Sequence, residues 1–147
     1  MKIHLATDHA GFKMKEDIKL YLKKLDYEVV DHGAFSYNPE DDYPEFIKLA
    51  AQSVSDNPFD KAIIFGGSGQ GEDMVAGKYT NIRSAVYYGG PLEIVRLAKE
   101  HNNANILSLG ARFMSHEEAQ EAVQIFLETE FSGEERHIRR IENIEHE

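Results

Sequence analysis

The stretch Lys61-Ala62-Ile63-Ile64-Phe65-Gly66 (KAIIFG) runs straight into Gly67-Ser68-Gly69-Gln70-Gly71-Glu72-Asp73 (GSGQGED). Its apolar residues follow one another instead of alternating. A strand covered on both faces, as in a parallel sheet, has that pattern; a sheet with one wet face alternates. The glycines that follow predict a tight turn from strand to helix.

The same logic extends outward. KIHLATD predicts an opening strand that ends at Asp8, and Met14, Ile18, Leu22 and Leu25 then share one helical face. YEVVDHG is a second short strand. AFSYNPEDDYP has loop chemistry, with Pro44 placed in the first turn of a helix that turns Ile47, Ala50, Ala51 and Val54 inward. IRSAVYY and NILSLG are a fourth and a fifth strand, and Pro91 to Asn102 between them has helical spacing. Ser115 with Glu118 forms a capping box ahead of Ala119, Ala122, Val123 and Phe126. A last amphipathic helix, about 134–146, carries Ile138, Ile141 and Ile144. Five alternations of strand and helix predict one α/β domain over residues 1–147. The expected form is a Rossmann-like three-layer sandwich, a five-stranded parallel sheet with helices on both faces. The isoleucine stripe of the last helix suits packing either on its own domain or on a partner subunit.

Composition removes several function classes. With 147 residues the chain can bury about 70% of its unfolded surface. It has no apolar run near the roughly 20 residues that span a bilayer, and its first residues lack the pattern of a secretory signal. There is no cysteine, so disulfides, thiolate nucleophiles and cysteine zinc sites are excluded. A cytoplasmic protein is expected. The formal charge of −10 argues against nucleic-acid and anionic-membrane partners. The seven histidines show no tight ligand spacing, so no metal is expected.

Ligands of such sheets bind beyond the carboxyl ends of the strands. Asp8-His9-Ala10-Gly11, the glycine loop and Gly110-Ala111-Arg112 all fall there. Singly, Asp8 reads equally well as a helix cap, His9 as a loop residue and Arg112 as half of a surface ion pair. Their joint placement points to a site. The glycine loop is neither a dinucleotide fingerprint, which belongs after the first strand, nor a P-loop, since Glu72 and Asp73 replace the Lys-Ser/Thr that holds phosphate. A loop so bare of side chains lets a ligand approach backbone N–H groups at a helix start. If the charge held there is transient, as in an enediolate, a neighbouring carboxylate is the base that makes it. The bland alternative is a tight turn followed by an ordinary first-turn acid.

Two further groups stand out. His101 and Asn102 close the fourth helix, where a histidine also serves as a plain dipole partner. In Arg136-His137-Ile138-Arg139-Arg140, Arg136 and Arg140 stand at i and i+4 with His137 beside them, and Arg139 is free to pair with Glu135. Two guanidiniums and an imidazole make a phosphate clamp. Glu134, Glu135 and Glu142 are close enough in sequence to neutralise it.

Asp8-His9-Ala10-Gly11, Asp42-Tyr43-Pro44, Gly67-Ser68-Gly69-x-Gly71, His101-Asn102, Gly110-x-Arg112 and Arg136-His137-x-x-Arg140 occur in that order. Together they resemble the ribose-5-phosphate isomerase B family, which includes the galactose-6-phosphate isomerase subunits. The resemblance implies aldose–ketose isomerisation of a sugar phosphate without metal or organic cofactor. It also implies a homodimer or tetramer with the active site shared across the interface. In this chain His101 would assist ring opening with Asp8 contacting the ring oxygen or hydroxyls, and Tyr43 and Asn102 would position the sugar. The loop at Gly67, Ser68, Gly69 and Gly71 would hold the enediolate, with the Ser68 hydroxyl moving protons at oxygen. His9, Arg112, Arg136, His137 and Arg140 would bind phosphate. Many members place a cysteine base before the loop; here Gly66 stands there and Gly-Gly-Ser-Gly-Gln-Gly-Glu matches a branch with a glutamate base, Glu72. The turn Tyr87-Tyr88-Gly89-Gly90-Pro91 is about two residues longer than its family counterpart. A six-carbon sugar phosphate, an unphosphorylated sugar and a non-catalytic sugar-phosphate sensor remain alternatives. A flavodoxin-like module lacks its expected acidic cluster or flavin loop.

Overall fold

The computed structural model describes residues 1–146; Glu147, the last residue of the single-domain span, lies outside them. Five strands, β1 (Lys2–Thr7), β2 (Glu28–Asp31), β3 (Lys61–Gly66), β4 (Ser84–Tyr87) and β5 (Ile106–Gly110), form one sheet in the order β2-β1-β3-β5-β4. Every neighbouring pair is parallel. Six helices accompany it: α1 (Phe12–Lys24), α2 (Tyr43–Asp56), α3 (Gln70–Ala76), α4 (Glu93–Glu100), α5 (His116–Glu128) and α6 (Glu135–Glu145). The expected α/β sandwich is what forms.

The unbroken apolar run of β3 divides between two cores. Ile63 and Phe65 join Ile3, Leu5, Leu107 and Leu109 against α1, α4 and α5. Ala62 and Ile64 join Ala6 and Ile106 against α2 and Ala76 of α3. Successive strand residues point to opposite faces, so a strand covered twice must be apolar throughout. Each fully buried side chain of the Ile, Leu or Phe class contributes about 1.5–3 kcal/mol.

Helix faces follow the periodicity. Ile47, Ala50, Ala51 and Val54 are buried, as are Ala119, Ala122, Val123 and Phe126 behind a complete Ser115–Glu118 capping box. One assignment fails: Leu25 is exposed, because α1 ends at Lys24 and the backbone leaves the helix at that point. The fourth helix is also shorter than its spacing suggests, starting at Glu93 after a turn at Pro91 and ending before His101. On α6, Ile138 is 42% and Ile144 60% exposed while Ile141 is half-buried, so the chain itself covers that stripe only in part.

The strand order matters for the site. β1, β3 and β5 lie side by side at the centre, so the segments after Thr7, Gly66 and Gly110 meet at one edge. Beyond β2 the chain stays bonded to β1, Thr7 N–H donating to Gly33 O (2.8 Å) and Ala34 N–H to Thr7 O (2.9 Å). That anchors the loop leading to α2 beside the same edge.

Candidate active site

Asp8, His9, Ala10, Tyr43, Gly67, Ser68, Gly71, Glu72 and Arg112 line a cleft of about 280 Å³ beyond the central strands. Asp8 is buried and caps the short turn His9–Gly11, accepting from Ala10 N–H at 2.9 Å. The cap role and the cleft position thus coincide. Arg112 sits in a matching turn after β5, and its backbone N–H donates to Gly67 O at 3.0 Å. Its side chain lies along Gly67.

The glycine loop is held from below. Ser108 Oγ donates to Gly69 O (2.7 Å), and Gly69 adopts φ +80, a left-handed conformation that a residue with a Cβ rarely takes. The Ser68 hydroxyl accepts weakly from Gln70 N–H at 3.3 Å, and the Tyr43 hydroxyl lies where a side chain on Gly71 would project.

Glu72 is 4% exposed in the first turn of α3. Burial raises its pKa from the ordinary carboxyl value; a hydrogen bond from its own backbone opposes the rise, and the charge of Asp8 adds to it. Loss of water around the carboxylate is the largest of these influences, in a helix only seven residues long.

Six expected site residues do not line this cleft: Gly69, through which the loop is held from below, and five that stand apart from it. His101 closes α4, its ring 4.3 Å from that of His137 in a tilted pair. His137 is not beside the arginines in solvent; it turns inward, buried, with Nδ1 2.7 Å from Ser132 Oγ. Its pKa is lowered by burial and by the neighbouring His101 and Arg136. Arg136 is exposed and bonds Glu134 at 2.9 Å, Arg139 pairs with Glu135 at 2.9 Å as its spacing predicts, and Arg140 is exposed with no ion pair among the described residues. Asn102 follows His101 and borders a separate hollow with Arg83, Ala98 and Ile144. Within one chain, then, the acid–base groups and the arginine helix form two clusters.

The sequence profile described as Ribose/Galactose Isomerase matches residues 3–144. The chain belongs to that family. Ribose-5-phosphate isomerase B of Mycolicibacterium paratuberculosis is 39% identical over 142 residues, spanning 97% of this chain and 88% of the relative. Among solved structures, ribose-5-phosphate isomerase B from Mycoplasma genitalium with bound ribulose-5-phosphate matches with a TM-score of 0.93 at 36% identity, covering 98% of this chain and 93% of that one. The enzyme of the same name from Thermotoga maritima matches at 0.90 and 42% identity, covering 98% and 97%.

Set within the ribose/galactose isomerase family, three features escape a reading of the sequence. Asp41, not its neighbour Asp42, bonds His9 of the cleft; two adjacent acids before a helix carry no signal of which will make that bond. Asp8, His9 and Asp41 bring ligand-type atoms within 4.8 Å of one another although no spacing motif marks them. Tyr37, unplaced by its loop sequence, meets the His9 ring edge-on at 6.2 Å. The turn Tyr87–Pro91 has a definite place: Tyr87 Oη donates to Gly90 O at 2.8 Å, and Tyr88 packs on Phe113 beside Arg112. No helix among the described residues is long and apolar enough to cross a membrane.

Proposed function

We propose that the protein interconverts ribose 5-phosphate and ribulose 5-phosphate through an enediolate, with Glu72 as the base. The observation that carries this reading is the buried Glu72 carboxylate in a cleft that Asp8, Ser68 and Arg112 also line. A proton alpha to a carbonyl is weakly acidic, so its removal needs a positioned base with a pKa brought toward neutrality and donors for the oxyanion. Burial supplies the first and the glycine loop the second. Glu72 takes the C2 proton of the open-chain aldose, leaving an enediolate, and returns it to C1; the Ser68 hydroxyl exchanges the proton between the two oxygens. Asp8 sits at the sugar ring, and Tyr43 orients the chain.

His9 and Arg112 bind the phosphate from this subunit. His101, Asn102, Arg136 and Arg140 serve the cleft of a second copy, in a homodimer or tetramer; His137, its ring tilted against that of His101, holds it. The separation of the two clusters within one chain and the uncovered Ile138 and Ile144 support that assignment. The reading is of a cytoplasmic enzyme that needs no metal or organic cofactor.

The test is turnover of ribose 5-phosphate by the purified protein with no metal added, following ribulose 5-phosphate. Formation of the ketose is expected. A folded protein that leaves ribose 5-phosphate unchanged yet isomerises a six-carbon sugar phosphate would overturn the substrate assignment. No turnover of any sugar phosphate would overturn the reaction.

A further inference from the structure

Asp41 lies on the loop between β2 and α2. Its side chain is only 7% exposed, and its Oδ1 accepts two hydrogen bonds from a single residue: the His9 backbone N–H at 3.0 Å and the His9 ring Nδ1 at 2.7 Å. Its other oxygen, Oδ2, is buried with no partner among the described residues. A fold seldom keeps a buried acceptor unsatisfied without a compensating use. Among the described residues this carboxylate bonds only His9, so His9 is the group on which it can act.

We infer that Asp41 is a positioning residue that fixes the rotamer of His9 and the hydrogen on its Nδ1, so that the ring, with Nε2 also carrying a hydrogen when an anion is bound, presents Nε2–H to the anionic end of the ligand. A carboxylate can only accept, so the ring hydrogen facing it is on Nδ1. Because the main-chain and ring donors converge on one oxygen, the ring cannot turn about its own side-chain bonds without breaking a bond. The Tyr37 edge packs against the ring. Neighbouring Asp8, whose carboxylate stays within the same 4.8 Å cluster, is occupied by Ala10 N–H and does not compete for the Nδ1 hydrogen. A pre-set donor costs less ordering on binding than a mobile one. The inference rests on the isomerase reading for its ligand, ribose 5-phosphate, but not for its geometry.

Two measurements test it. The first follows the His9 ring nitrogens by two-bond proton–nitrogen correlation in the whole protein. Wild type should show hydrogen held on Nδ1, and Asp41→Ala should show a mixture of tautomers. Wild-type His9 with a bare Nδ1, or a spectrum unmoved by Asp41→Ala, overturns the inference. The second compares kcat and KM for ribose 5-phosphate in wild type, Asp41→Ala, Asp41→Asn, His9→Ala and the double variant Asp41→Ala/His9→Ala. Loss of one charge-assisted bond to phosphate predicts a KM about tenfold higher in Asp41→Ala with kcat held within about threefold. Asp41→Asn keeps an accepting Oδ1 and should restore most of the KM, and the double variant should be no worse than His9→Ala alone. Losses that multiply, or a fall in kcat at unchanged KM, show that Asp41 does not act through His9. If wild type fails to turn over ribose 5-phosphate, the isomerase reading falls and the tautomer measurement alone still decides the inference.

Discussion

The Glu72 carboxylate fills the space in which a side chain on Gly66 would stand: a Cβ built at Gly66 meets the carboxyl carbon and both oxygens of Glu72, closer than atoms can pack. Gly66 is the last residue of β3, six positions ahead of the acid, and the two share one volume at the floor of the cleft. A residue with any side chain at position 66 and the buried carboxylate at 72 are therefore mutually exclusive in this backbone.

Substituting Gly66 with alanine should therefore push the Glu72 side chain out of place while the sheet stays folded. A shift of about 1 Å in a reacting group costs on the order of a hundredfold in rate. The expected outcome is a kcat for ribose 5-phosphate lower by about that factor, with far-ultraviolet circular dichroism unchanged. A variant with wild-type kcat would show that Glu72 is not the base, or that it works from another position.

Replacement of Glu72 by glutamine should abolish isomerisation, a loss of at least about 10²–10⁴-fold, while calorimetry still shows ribose 5-phosphate binding. In the wild type, kcat/KM should fall on the acid side at a pH above the ordinary carboxyl value of 4.5, because burial raises the Glu72 pKa. The stability sign follows. A carboxyl whose folded pKa is raised stabilises the fold below its unfolded pKa, and that contribution is lost as pH rises through the folded pKa. Glu72→Gln should thus be more stable than wild type in urea at neutral pH, and the difference should shrink toward pH 4. Equal stability at both pH values would contradict the burial assigned to the carboxylate.

Complementation tests the shared site. Glu72→Gln and Arg136→Ala should each be impaired, the second chiefly through a raised KM. If Arg136 serves the partner's cleft, unfolding and refolding the two together makes mixed dimers with one intact site. About a quarter of wild-type activity is expected at low substrate, from half the dimers carrying one good site of two. Activity equal to the plain sum of the separate variants would place the arginine outside the partner's cleft.

Lys99 offers a test unrelated to catalysis. Its ammonium is buried, donating to Ala104 O at 3.2 Å above the Phe126 ring, and burial, with Lys61 and Arg83 nearby, lowers its pKa from 10.5 to about 8. The unfolded chain binds the extra proton between those values, so the Lys99 contribution to stability rises with pH across that window. Urea unfolding should show wild type gaining on Lys99→Met from pH 8 to 10, since the methionine keeps the packing but has no charge to bury. A constant gap between them would mean that Lys99 titrates normally.

Much of this molecule is legible in its residues. The runs in KAIIFG and NILSLG, the i, i+3 and i+4 spacing in α2 and α5, and the Ser115–Glu118 box declare strands, helices and ends, because they are local consequences of side-chain periodicity and capping. Leu25 misleads because the period continues one residue past the helix. The candidate residues of the cleft are also visible, since Asp8, the glycine loop and Arg112 each follow a strand.

Sequence by itself thus determined the α/β class, the covered sheet, the absence of cysteine chemistry and the motif series that marks the isomerase family. Only the tertiary structure decided the order β2-β1-β3-β5-β4, which brings three separated strand ends together. It decided that Asp41 and not Asp42 reaches His9, that His137 turns inward onto His101, and that Glu72 lies in the volume left by Gly66. It also set the electrostatics of Glu72, where burial raises the carboxyl pKa. The physical reason is common to all of these: excluded volume and desolvation act between atoms near in space, and distance along the chain does not report which atoms those are.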